Sequence, residues 1–243
     1  LTQALADGAS RSTWSVAVMQ PYLFPYVGAY QLVAAVDEFV VLDDAAFMKK
    51  SYLQRNSVLL AGRAHAFSAP VHAASQNRRI VDHCFAGDWA PLLKLLQSAY
   101  GRAPMFGRVM PLIQSVLCDH DENLARKNTR SLRAVCDYLD LRRTWRLASS
   151  LMSAHPLRGQ ARIIDLCRQV GATAYINPPG GRALYDAASF DAAGIALNFI
   201  APRQSPYAQP APSFVPNLSI IDLLMHLPPE IVRERLDDYA LTD

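Results

Sequence analysis

Short, nearly continuous apolar runs alternate along this chain with stretches whose apolar residues recur at the spacing of one helix face. The first run, 14–19, stops at Gln20 and Pro21, because proline lacks the amide donor a strand ladder needs. A short helix is predicted near 28–36, with Leu32, Val33 and Val36 on one face, and a second buried strand at 38–42 follows. Strand, loop, short helix, strand opens a parallel βαβ unit. Residues 57–71 read differently. Two apolar runs flank Ala61-Gly62-Arg63, which predicts a hairpin, and with it a mixed sheet or a small appended antiparallel unit.

Residues 88–140 are predicted helical. Asp88 suits an N-cap, Pro104 suits an early turn of a second helix (104–117), and a third spans about 121–139. Its basic residues Arg126, Lys127, Arg130 and Arg133 read as a solvated face. Strand and helix then alternate again: a strand from 144, an amphipathic helix closed by Gly171, strands at 174–177 and 195–200, a helix capped by Ser219, and a last helix opened by Pro228-Pro229-Glu230. Between 202 and 216 five prolines in fifteen positions predict an ordered extended loop or lid. The expectation is an α/β, Rossmann-like fold with a mostly parallel or mixed sheet, one domain over 14–243 and a helical insertion at about 88–140. Residues 1–12 lack the basic start and long apolar centre of a secretory signal and read as a loose tail.

Composition narrows the function. The chain has 243 residues, half of them apolar, enough to bury a sizeable core. A net charge of +3 without long basic blocks argues against a nucleic-acid partner. No apolar run reaches the roughly 18 residues of a membrane span. The four cysteines (Cys84, Cys118, Cys136, Cys167) form no C-x-x-C pair and read as buried free thiols of a reducing cytosol, with Cys84 the best placed for reactivity. The six histidines and the carboxylates show no metal-ligand spacing, and neither G-K-[ST] nor G-x-S-x-G occurs, so no metal site and no cofactor is legible.

The chemistry concentrates between Met19 and Asn56. Polar groups just past strand ends are where α/β proteins hold ligands. Asp43 and Asp44 follow the second strand, and Lys49, Lys50, Gln54, Arg55 and Asn56 come soon after. Adjacent strand residues point to opposite sides, so one aspartate can face a pocket as a general base while the other caps the turn or pairs with a lysine; a plain turn-forming pair is the competing reading. Tyr22, Tyr26, Tyr30 and Phe24 suit either stacking on a sugar or base, or packing. Asn177 precedes Pro178-Pro179-Gly180-Gly181, where glycines permit close backbone approach to a ligand and the prolines exclude a phosphate cradle. Ser75, Gln76 and Asn77 form a third polar loop, with a solvated turn as the alternative. Phe24-Pro25-x-x-Gly28 before a helix is similar to the opening of HIGH-type nucleotidylyltransferases, but Tyr26-Val27-Gly28-Ala29 lacks both histidines of that device.

Taken together, MQPYLFPYVGAYQL, the strand-end Asp-Asp, Lys-Lys…Gln-Arg-Asn, SQN, Gly-Gln-x-Arg-Ile, Tyr-Ile-Asn-Pro-x-Gly-Gly and FVPNLSIIDLLM resemble the WbqC-like protein family over about 15–240. Many relatives begin the first motif with His-Gln-Pro, where this chain has Met19-Gln20-Pro21. The resemblance implies a bacterial, cytoplasmic enzyme associated with polysaccharide and natural-product gene clusters. The resulting expectation is a transferase that moves an acyl or aminoacyl group to an amino sugar or small-metabolite amine. Its donor would be carrier-protein-linked or nucleotide-linked. Asp43, Asp44 and Lys49 are the catalytic candidates. Gln20, Tyr22, Lys50, Arg55, Asn56, Ser75, Gln76, Asn77, Asn177, Gly180 and Gly181 are the candidates for binding substrate. A nucleotidyl- or sugar-modifying enzyme and a non-catalytic subunit of a biosynthetic complex are the alternatives.

Overall fold

In the computed structural model, β1 (Ser15–Met19) sends alternate side chains to opposite faces of a sheet, and both faces are buried. Residues 13–242 are described; the tail expected at 1–12 lies outside them. After β1 come α1 (Val27–Ala34), β2 (Glu38–Val41), β3 (Arg55–Leu60), β4 (Arg63–Ser68), α2 (Ala90–Tyr100), α3 (Phe106–Leu117), α4 (Leu124–Tyr138) and β5 (Thr144–Leu147). The second half adds α5 (Gly159–Gln169), β6 (Ala174–Asn177), α6 (Ala187–Asp191), β7 (Ala196–Pro202), α7 (Ile220–His226), α8 (Pro229–Arg235) and β8 (Tyr239–Thr242).

The main sheet runs β5-β2-β1-β6-β7-β8. Its neighbours are parallel except β7 and β8, which are antiparallel. The chain therefore starts in the middle, winds outward to β5, returns to β6 and winds out the other way, the doubly wound order of a Rossmann-like sheet. Val16, Val18, Val40 and Tyr175 pack on one face against Ile163, Leu166 and Cys167 of α5 and Phe190 of α6. Ala17, Phe39 and Val41 face the other way, into a larger core shared with α1 to α4, α7 and α8. Each fully buried aliphatic side chain contributes about 1.5–3 kcal/mol, so the strands' two-faced burial supplies much of the drive to fold.

The hairpin stands apart as a two-stranded unit of β3 and β4. Its turn needs left-handed backbone at Ala61 (φ 50°) and Gly62 (φ 74°), the conformation that suits a two-residue hairpin. The hairpin is thus the appended antiparallel unit, and the main sheet is mixed for a different reason, its antiparallel edge strand β8. β8 is not legible in the sequence, because its four residues run from half-buried to exposed and show no strand period.

Helices α2 to α4 fill the predicted 88–140 stretch, with later starts than expected. Asp88 accepts from the Ala90 amide at 3.2 Å, and Asn123 caps α4 by accepting from Arg126 at 3.1 Å. Two expectations are corrected. Lys127 is not on a solvated face: its ammonium is buried, 3.1 Å from Glu122, and donates to the carbonyls of Leu117 and Asp119 at 2.8 and 2.9 Å. It thereby satisfies the open end of α3, where a cation also suits the helix dipole. Cys84 and Cys118 are exposed rather than buried, while burial pushes the Cys136 and Cys167 thiols up to about 12.

Two buried amides tie distant segments. Gln31 Nε2 lies 2.9 Å from each of the carbonyl oxygens of Arg203, Arg235 and Asp238. Asn128 Nδ2 donates to Pro21 at 3.0 Å and Leu53 at 2.7 Å. Asn128→Ala would leave two buried carbonyls without a donor and is expected to cost about 2–3 kcal/mol. A urea titration should show that loss as a lower midpoint with an unchanged slope.

Candidate functional site

In a doubly wound sheet the ligand crevice opens beyond the carboxyl ends of the strands, where the winding reverses. Here that place lies between β1 and β6. Gln20 leaves the end of β1 half-buried, and its side chain has no hydrogen-bond partner among the described residues. Asn177 closes β6. Its carbonyl oxygen accepts from the Tyr175 hydroxyl at 2.9 Å and its amide donates to Pro178 at 3.3 Å. A Cβ on Gly181 would come within 1.8 Å of the Asn177 amide nitrogen, so glycine is required there. Gly180 faces open space. Asn177 and Gly181 thus shape the turn, and Gly180 offers its open side.

One strand over, the two aspartates part company. Asp43 is fully buried, and both its oxygens are taken by Ser149, the amide at 2.8 Å and the hydroxyl at 2.6 Å. It clamps the end of β2 to the end of β5. Asp44 is partly exposed and receives Arg162 of α5 on Oδ2 at 2.8 Å; its Oδ1 has no partner among the described residues. The same guanidinium donates to the carbonyls of Ala148 and Leu151, both at 2.8 Å, and reaches Asp165 at 3.1 Å. Arg162 therefore orders the segment after β5 and orients Asp44.

The Ser75–Asn77 loop is brought behind this pair. Residues 43–47 run antiparallel to 78–81, with Phe47 N to Arg78 O at 2.9 Å and Ile80 N to Ala45 O at 2.8 Å. Ser75 is engaged locally: its amide donates to His83 Nε2 at 3.2 Å, and its hydroxyl accepts from Asn77 at 3.3 Å. The buried His83 has a partner on each ring nitrogen, the Arg79 carbonyl 2.8 Å from Nδ1 and the Ser75 amide at Nε2, and it stacks on Phe47. Gln76 and Asn77 are exposed.

Lys49, Lys50 and Arg55 are exposed, without an ion pair among the described residues. Asn56 is buried. Its amide donates to the Leu23 and Phe24 carbonyls at 3.2 and 2.7 Å, and its oxygen accepts from Ser57. It holds the turn after β1 and has no donor left for a substrate.

Tyr22 and Tyr52 contact each other with ring centroids 5.9 Å apart, and Tyr52 is 62% exposed. Burial first, then the neighbouring Tyr52, raises the Tyr22 and Tyr26 hydroxyls above the usual phenol value, so both stay protonated donors at neutral pH. Neither has a hydrogen-bond partner among the described residues. The Tyr26 ring folds back over the start of α1, where a Cβ on Gly28 would meet it at 2.5 Å. That is the spot at which Rossmann-like proteins commonly seat a phosphate.

Two clefts accompany the rim. One, of about 440 Å³, lies between α4 and the β2–β5 edge. The other lies between the proline-rich 202–216 segment and α7. Neither is lined by Asp43, Asp44 or Asn177. Among the described residues no group of His, Cys, Asp and Glu could hold a metal ion, and no helix is long and apolar enough to cross a membrane.

A family model for the WbqC-like protein family matches residues 20–234, which spans the rim, the hairpin and every helix but the last residue of α8. The chain belongs to the WbqC-like protein family. It is similar to the uncharacterized protein Rv1507c of Mycobacterium tuberculosis, 29% identical over 217 residues that cover 87% of this chain and 93% of that one. No solved structure matches the chain. The Gly-Gln-x-Arg-Ile segment of this WbqC-like chain is thus the source of Arg162. Arg162, Ser149 and Tyr52 are site residues that the sequence does not single out. Arg162 lies 118 positions from Asp44, and no local spacing announces such a pair.

Burial pushes the Asp165 carboxyl up, but the hydroxyl of Ser153, the Gln169 amide and Arg162 outweigh it and hold it below the usual carboxylate range. A depressed acid stabilises the fold fully above its unfolded value and loses that contribution as pH falls through the folded one. Asp165→Asn should therefore be less stable than wild type at pH 7, and the two melting temperatures should converge as pH falls through the lowered Asp165 value.

Proposed function

We propose that this WbqC-like protein is a transferase that moves an acyl or aminoacyl group from an activated donor to the amine of an amino sugar or another small metabolite. The observation that carries the reading is the free Asp44 Oδ1, held in place by Arg162 at the carboxyl end of β2, one strand from the reversal of the winding. The substrate class comes from the polysaccharide and natural-product context that the family resemblance implies.

In this reading the acceptor amine attacks the donor carbonyl, and Asp44 takes the proton released as the C–N bond forms. The tetrahedral oxyanion needs donors that stay protonated, and the raised Tyr22 and Tyr26 hydroxyls meet that need. Collapse expels the thiol or phosphate leaving group, which recovers the proton from Asp44. Asp43 acts as a positioning residue, since its oxygens are occupied by Ser149. Gln20 and Gly180 offer unused polar groups for orienting the acceptor, and Lys49, Lys50 and Arg55 are free for charged substrate groups.

The test compares product in cells carrying wild type, Asp44→Asn and Asp43→Asn, read by mass spectrometry of the polysaccharide or metabolite fraction. Asp44→Asn should stay folded, with at most the small loss of melting temperature expected for one partly exposed ion pair, and lower output by about a hundredfold or more. Asp43→Asn should lower the melting temperature as well, because a buried clamp is damaged. Wild-type output from a folded Asp44→Asn protein would favour a non-catalytic subunit instead.

A further inference from the structure

The cleft between α4 and the β2–β5 edge has no part in the chemistry above, yet its lining is unusual for a bare surface. Arg126, Arg130 and Arg133 project into it from successive turns of α4, and Trp145 and Arg146 line it from β5. Asp137 is the one carboxylate among the lining residues. Arg126 pairs with Asp121 at 2.5 Å and Arg130 with Asp119, so both guanidiniums are oriented, whereas Arg146 turns to Glu38 on the face of the sheet opposite Trp145. Arg133 is exposed and has no ion-pair partner among the described residues. Trp145 is half-buried, its ring 5.0 Å from Phe39. A volume of about 440 Å³ falls within the range of small-molecule sites.

We infer that this cleft binds a phosphate-bearing small molecule, one with two or more phosphate charges beside an aromatic or apolar portion. Planar guanidiniums suit phosphate oxygens in pairs, and an indole offers a face to a base or an apolar chain. The start of α1, the common phosphate seat of this topology, is covered by the Tyr26 ring, so such a ligand needs a different seat. The cleft also adjoins the rim. Val41 and Leu147 line it, and Asp43 and Ser149 follow each by two residues. If the transferase reading holds, on which this clause alone rests, the ligand is the activated donor, its charged end in the cleft and its acyl end at Asp44. Adenosine diphosphate and coenzyme A share the required chemistry and stand for the nucleotide-linked and pantetheine-linked sources.

Isothermal titration of the full chain with adenosine diphosphate, coenzyme A and pyrophosphate tests the site. At least one of the first two should bind more tightly than pyrophosphate by about tenfold, because only they can use Trp145. Arg133→Glu, at an exposed position, should keep the wild-type melting temperature and weaken that binding about tenfold or more. Raising the salt concentration should weaken it too. Preference for coenzyme A or for the nucleotide identifies the source. No heat from any of the three at about 1 mM, or an affinity that Arg133→Glu leaves unchanged, would overturn the inference. The two readings fail separately: ligand binding by the wild-type protein without any transfer removes only the transferase proposal, and transfer without binding in the cleft removes only this one, while Asp44→Asn should bind the ligand and not transfer.

Discussion

The chain leaves β1 through a loop that is buried, and a buried loop must find partners for its backbone outside itself. Residues 21–25 find them on three other elements. Asn128 of α4 donates to Pro21, and the Ser131 hydroxyl accepts from the Phe24 amide. Asn56 of β3 donates to Leu23 and Phe24. The Ser219 hydroxyl, at the cap of α7, donates to Phe24 as well, and Ile220 N donates to Pro25 at 2.8 Å. Phe24 can therefore hold a positive φ of 42°, a conformation rare outside glycine. The hairpin, the helical stretch and the C-terminal helices converge on one short loop, and its position fixes Tyr22, Tyr26 and the start of α1.

This convergence explains what the sequence revealed and what it concealed. The strands, the hairpin and most helix spans were legible because burial on one or both faces imposes a short period. The candidate site was legible as a place, since polar residues cluster after strand ends for topological reasons. Individual roles were not. Asn56 sits in a run of polar residues that looks like a binding site, yet its amide is spent on backbone carbonyls. Asp43 and Asp44 look equivalent in sequence, and only the arrival of Ser149 and Arg162 from beyond residue 148 separates a saturated clamp from an available carboxylate. Lys127 and Arg126 are neighbours in one basic stretch, but helix geometry turns one into the core and the other toward the cleft. Such distinctions are set by partners far along the chain, which no local pattern encodes.

The electrostatics follow a similar division. The buried ionisable groups among the described residues have partners: Lys127 has Glu122 and helix carbonyls, Glu38 has Arg146, Asp43 has Ser149, and Asp222 has the hydroxyls of Tyr100 and Tyr207 at 2.8 and 2.5 Å. Desolvating an ion without partners would cost several kcal/mol. The Asp222 network also ties the proline-rich segment to α7, because Tyr207 and Gln209 both belong to that segment. Among the described residues Lys49, Lys50 and Arg55 near the strand ends and Arg133 in the cleft have no ion-pair partner, so their charges remain free for something else to meet.

The three carbonyl contacts of Gln31 bear on how the molecule is made. A ribosome delivers α1 long before residues 203–238, which supply all three acceptors. Until then the amide has no native partners and one face of the central helix has no cover. The nascent chain must therefore hold a large apolar surface apart from its neighbours through most of translation, and folding as a whole waits on contacts 172 to 207 positions apart. Such a topology is expected to fold more slowly than one built from local contacts.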